Sequence, residues 1–125
     1  MAKLIHDNVL DAALNYIKSN GTEFTVCGPT EPTTYTEAHT TYKLADIVTD
    51  SADFTGPADD TSGRKITTVQ QTDVPVDTTG EALFVCINNT AGSLLLLKTT
   101  CTSQSLTSGN TVTIPAFKDN IADPT

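Results

Sequence analysis

The sequence predicts a mainly β fold, an antiparallel β-sandwich or barrel-like body preceded by one N-terminal amphipathic α-helix. Three observations carry this. Thr makes up about a fifth of the 125 residues, and a β-branched hydroxyl side chain suits extended backbone better than a helix. Short alternating runs are punctuated by Gly, Pro, Asn and Asp, the pattern of strands joined by turns. Residues 82–117 hold one charged side chain, Lys98, in a chain with 15 acids and 7 bases. A stretch that avoids charge yet keeps Thr, Ser and Asn is built for packing, its polar groups hydrogen-bonded rather than solvated as ions.

The helix comes first. Val9, Leu10, Ala13, Leu14, Tyr16 and Ile17 follow three-and-four spacing, while Asp11, Asn15 and Lys18 fall elsewhere. Asp7 or Asn8 is placed to cap the first turn, Asp11 complements the helix dipole, and Asn20-Gly21 supplies the stop. Leu4 and Ile5 are apolar yet precede the helix. They either staple its start to its own sheet or reach a neighbouring molecule.

Strands follow. Residues 22–27 alternate, with Phe24 and Val26 on one face, and end at Gly28-Pro29. Residues 30–42 contain a Glu31-Pro32 turn, after which Tyr42, Leu44 and Ile47 begin a second extended piece. Residues 50–63 are acidic, turn-rich and without period, which reads as a surface loop. Residues 64–71 form a strand with Ile66 and Thr68 opposing Lys65, Thr67 and Val69, and Pro75 puts the next stretch at an edge or in a loop. Residues 82–88 form a strand, 89–92 turn it, and 93–100 return antiparallel. Ser108-Gly109-Asn110 marks a second hairpin turn into a closing strand, 111–117, with Val112 and Ile114 on one face and Pro115 at its end or at an exposed edge.

Phe84 and Cys86 oppose Leu83, Val85 and Ile87, and Leu94, Leu95, Leu96 and Leu97 make both faces of the return strand apolar. A half-solvated sheet does not read this way. Either the sheet is covered twice within the domain or one face packs against another subunit. With a single helix available the second is the expectation, and Leu94 to Leu97, Val112, Ile114 and Phe117, with Leu4 and Ile5, are the expected interface.

At 13.2 kDa the chain suits one domain, with residues 1–21 as arm and helix and 22–125 as a β-rich body. A net charge of −8 and a pI near 4.3 disfavour nucleic acid and anionic lipid as partners, since both are bound through Lys and Arg. No apolar run approaches the roughly 20 residues that cross a bilayer. The first residues reach His6-Asp7 before any signal-type apolar region forms, so synthesis and folding in the cytoplasm are expected. Cys27, Cys86 and Cys101 are odd in number and far apart. In a reducing compartment each is a small buried hydrophobe, with a Cys86–Cys101 bridge as the alternative.

Chemistry-bearing patterns are sparse. There is no Gly-x-Ser-x-Gly turn, and His6 and His39 lie in polar, turn-like surroundings of different segments. Asp50, Asp53, Asp59 and Asp60 offer hard oxygen ligands, but without the alternating acids and central glycine of a calcium loop. No Cys-x-x-Cys pair points to zinc. Tyr16, Tyr35 and Tyr42 are read as core or interface residues rather than sugar-stacking ones. The expectation is a non-enzyme with no catalytic, cofactor or metal site.

Four segments together are specific enough to compare: residues 4–17, Leu-Ile-His-Asp-Asn-Val-Leu-Asp-Ala-Ala-Leu-Asn-Tyr-Ile; Cys27 with Glu31-Pro32-Thr33-Thr34-Tyr35; Ser62-Gly63-Arg64-Lys65; and residues 103–113, Ser-Gln-Ser-Leu-Thr-Ser-Gly-Asn-Thr-Val-Thr. Over nearly its whole length the chain resembles a family of small virion structural proteins of tailed bacteriophages and prophages. The resemblance implies a capsid cement or decoration protein on the outer surface of the head, often trimeric and bound to the major capsid protein, with no catalytic residues or cofactor. Neck or tail placement in the virion, or a module binding a host receptor or glycan, are the alternatives.

Overall fold

A computed structural model describes residues 3–124. It is mainly β, with antiparallel sheets and one α-helix. The helix α1 spans Asp7–Asn20 and the strands are β1 Glu23–Cys27, β2 Lys43–Val48, β3 Phe54–Asp59, β4 Arg64–Thr68, β5 Gln71–Pro75, β6 Gly80–Asn89, β7 Leu94–Leu106, β8 Thr111–Ile114 and β9 Lys118–Ile121. They form a four-stranded sheet, β2-β1-β6-β7, a three-stranded sheet, β3-β4-β9, and the pair β5-β8. None closes into a barrel.

One apolar core lies between the large sheet and the two smaller ones. Phe24, Val26, Val85 and Ile87 from β1 and β6 meet Phe54, Ile66, Val74, Val112 and Ile114 from the opposite sheets and Leu14 from α1. The register puts Phe24 beside Ile87 and Val26 beside Val85, so alternate residues of both strands enter the core while the others face outward.

The helix departs from its sequence reading at both the cap and the stripe. Its N-cap is His6, whose Nδ1 accepts from the Asn8 N–H at 3.1 Å, in place of Asp7 or Asn8. Leu10 and Leu14 are buried, but Val9 and Tyr16 are 61% and 51% exposed, because a helix lying on one small sheet buries a narrow stripe. Gly21 ends it, its N–H bonded to Ile17 O. A side chain there would meet Ile17 O at 2.8 Å, Phe54 Cζ at 2.8 Å and Ile87 Cγ2 at 2.9 Å, so the close crossing of helix end and sheet requires glycine.

Four further expectations are corrected. The 50–63 loop contains a 3₁₀ turn, Ser51–Asp53, held by a reciprocal Asp50/Asp53 cap, and then β3. Within it the β3–β4 ladder is irregular between Thr55 and Ala58. The expected 64–71 strand splits at Val69 and Gln70 into β4 and β5. Most consequentially, β8 does not fold back on β7. It pairs with β5, Val112 opposite Val74, because the 107–110 turn is bonded to Val76 instead: Val76 N–H to Asn110 O at 2.9 Å and Gly109 N–H to Val76 O at 3.0 Å. The return strand β7 therefore runs to Leu106 rather than stopping at 100.

The chain's end is tied down by β9 on β4 and by Lys118 Nζ, which donates to both Asp60 oxygens at 3.0 and 2.9 Å. Lys118, with the Thr61 N–H, holds the Asp60 carboxyl below its ordinary range. A carboxyl whose pKa is lower folded than unfolded contributes stability that is present above the unfolded pKa, near about 3.9, and lost as pH falls through the folded value. Acidification through that window is expected to lower the amide protection factors of Lys118–Ile121 before those of β1. Asp60→Asn is expected to lower them at neutral pH, and equal protection in the variant refutes the tie.

Candidate functional site: an open sheet edge beside a covered one

The two outer strands of the large sheet are treated differently. The β2 edge is covered: Ala45 bridges Val76, and the N–H groups of Asp77 and Thr78 both donate to Leu44 O. No strand of the described residues pairs with the outer side of β7. Thirteen residues long, it has no Pro and Lys98 as its single charge, and its ladder with β6 shifts register twice, between Ala82 and Phe84 and between Ile87 and Asn88. Edges normally carry several such protections. Its neighbour across the core, β8, is a four-residue strand ending at Pro115, so the sandwich gapes along this side.

Two adjoining cavities of about 140 and 260 Å³ fill the gap and share Val85, Cys101, Thr102, Ile114 and Pro115. Phe117 lines one of them and Gln104 the other. This apolar groove runs beneath a row of unpaired backbone groups, which is the geometry that accepts an added strand.

The expected interface residues are partly drawn together here. Ile114 and Phe117 border the groove, and Leu94, 44% exposed, begins the same strand. Leu95 packs outward on Cys27 and Cys86, and Leu96 and Leu97 pack inward on the main core. Val112 and Ile114 are 8% and 2% exposed. Both belong to the core, covered by β5 and the large sheet, and both also line the floor of the groove. Leu4 and Ile5, at 90% and 38% exposure, project in front of α1. Cys101, Thr102 and Pro115 were not nominated from sequence. The charge-poor run contained them, but only the true length of β7 shows that they share a groove.

The outward face of the large sheet is closed by residues 29–42. The π-helical turn Glu37–Thr41 seats Ala38 on Cys27 and Cys86, and Pro32 is fully buried. Lys98 Nζ ties the segment down, donating to Pro32 O at 3.0 Å and pairing with Glu31 at 2.8 Å. The Thr33 N–H and hydroxyl both donate to Glu37 Oε1, which holds that carboxyl below its ordinary range. Beneath lies a polar row. Glu23, 5% exposed, meets His39 Nδ1 at 2.8 Å, and Asn88 Nδ2 donates to Glu23 Oε1 at 3.1 Å and Thr25 Oγ1 at 3.3 Å. His39 also stacks on Tyr35, the ring centroids 4.9 Å apart.

Cys27 Sγ lies 3.6 Å from Thr25 Oγ1 and 3.4 Å from Ala38 O. Hydrogen bonding from Cys86 pulls the Cys27 thiol down, while the same contact and burial push Cys86 up. All three cysteines are free thiols, and Cys27 and Cys86 are fully buried, so a substrate reaches this row only by displacing the 29–42 segment. The other titratable candidates do not join it. Asp59 pairs with Arg64, which also holds Asp11 at 2.7 Å. Asp50 and Asp53 cap the 3₁₀ turn, and Asp60 holds Lys118. Among the described residues no group of three or more His, Cys, Asp or Glu is arranged to hold a metal ion, and no helix is long and apolar enough to cross a membrane. No family model matches this chain, and no curated protein or solved structure matches it.

Proposed function

We propose that this chain is a virion structural protein, of the cement or decoration type, that assembles with copies of itself and clamps neighbouring coat subunits on the outer surface of a bacteriophage head. The observation that carries the reading is the open β7 edge with its apolar groove. A long edge with no proline and a single charge is an aggregation hazard unless a partner occupies it. The −8 net charge keeps assembled particles soluble and apart, and the segments that resemble phage virion proteins agree with the role. The resemblance implies a trimer, and modest contacts repeated around a symmetric particle add by avidity. Clamping of this kind requires neither a cofactor nor a reacting group.

The test is mass measurement by light scattering, followed by co-sedimentation with coat particles. An oligomer that pellets with shells is expected, and a strict monomer that ignores them overturns the reading. Thr102→Lys sharpens it. Thr102 is exposed on β7 within the groove, so a lysine there leaves the fold within about 0.5 kcal/mol while placing a charge on the edge. The variant is expected to be folded and monomeric. A variant as oligomeric as the parent removes β7 from the interface.

A further inference from the structure

Resting on the reading that copies of this chain associate, the geometry points to the occupant of the groove: the N-terminal arm, Lys3 to Ile5, of a second copy, added as a short strand along the free edge of β7.

The arm carries the matching chemistry. Leu4 is 90% exposed, with none of its own chain's core covering it. The backbone at His6 is extended, φ −62° and ψ 142°, so the chain enters α1 already in a strand-compatible conformation. In an added strand Leu4 turns to one face and Lys3 and Ile5 to the other. Leu4 is thus the anchor that drops between Cys101 and Pro115. The charges agree as well. Glu81, whose carboxylate accepts from the Ser103 hydroxyl, is the single acid on β6 and β7, and Lys3 supplies a cation within the Lys3 to Ile5 arm.

The arm of the same chain is poorly placed to fill its own groove. Helix α1 crosses the three-stranded sheet from the Arg64 end, where Asp11 is ion-paired, to the far end, where Gly21 lies against Phe54, the partner of Thr68. Phe117, at the groove, is bonded to Thr68. The arm therefore departs from the end of β4 opposite the groove, about 14 Å away at 3.4 Å per residue. Arm into groove is a head-to-tail contact, and such contacts close into rings when the rotation allows, in keeping with a trimer.

Cys101 in the groove is a native probe. With Leu4→Cys and oxidised glutathione as oxidant, the two thiols are expected to join as an interchain disulfide, giving multimers on a non-reducing gel that disappear in Leu4→Cys/Cys101→Ser. Multimers that persist in the double variant overturn the proposal. So does an intrachain bond, seen as an unchanged mass with both thiols consumed, since the arm then fills its own groove. If no bond forms while light scattering shows an oligomer, the arm exchange falls and the assembly reading stands. A monomer at every concentration overturns both.

Discussion

Phe24→Ala is expected to cost about 3–5 kcal/mol, the range for emptying a buried aromatic site, and to lower the melting temperature by roughly 10–20 °C in a chain of this size. Phe24 sits on the central strand β1, between Ile47 of β2 and Ile87 of β6, and is fully buried. Its ring meets Phe54 edge to face at 5.5 Å and 83°, which adds about 0.5–1.5 kcal/mol beyond the area buried. The core it belongs to draws residues from all three sheets and the helix, so the void is not filled by moving one side chain. Against a total stability of about 5–15 kcal/mol this brings the protein close to unfolding at physiological temperature. Urea denaturation gives the number, and a loss below about 1 kcal/mol would show that Phe24 does not organise the core.

The second large effect is polar. Asn88 is fully buried, and its amide is the donor that satisfies Glu23 and Thr25, while its own Oδ1 has no partner. Asn88→Asp replaces that donor with a second carboxylate against Glu23. The cost is expected to reach about 3–5 kcal/mol, as for other uncompensated buried charges. Asn88→Ala removes the donor without adding charge and leaves Glu23 its contact with His39, for about 1–3 kcal/mol.

The pH dependence separates the two. In the Asp variant the pair shares a proton, so one folded pKa rises above its unfolded value. A raised carboxyl pKa means that the penalty applies in full above the folded value and is relieved as pH falls through it. Denaturation at about pH 7 and about pH 5, above the range where ordinary carboxylates titrate, is expected to show the Asp variant regaining stability relative to the parent and the Ala variant not doing so. If both respond alike, the two carboxylates do not interact.

Both residues lie on strands that were legible beforehand, but for different reasons. The alternation of Phe24 and Val26 announced a core face because one side of a strand must be apolar to be buried. Glu23, Thr25 and Asn88 occupy the opposite positions, which the same alternation assigns to solvent. Nothing local to them tells that residues 29–42 fold across that face and exclude water. The cysteine row under the same cover was read as small buried hydrophobes, and Cys27 and Cys86 are indeed buried free thiols. Their packing in one cluster depends on β1–β6 register, not on spacing in the chain.

The groove shows the same division. Residues 82–117 stood out as charge-poor, and three of the residues nominated from them, Val112, Ile114 and Phe117, do border it. The reading erred in pairing β8 with β7. A Gly-Asn turn between two apolar runs favours a hairpin, and propensity has no means of weighing the bonds from Val76 that hold this turn elsewhere.

By itself the sequence determined what depends on neighbours along the chain: the β-rich class, the helix and its stop, the inward faces of β1, β4 and β8, and the acidic exterior. Tertiary structure alone decided which strand lies beside which, and through that which edge is covered, which is open, and which polar side chains lose their water. The physical reason is that strand pairing is set by contacts between residues distant in sequence, where a single backbone anchor such as Val76 outweighs local turn preference.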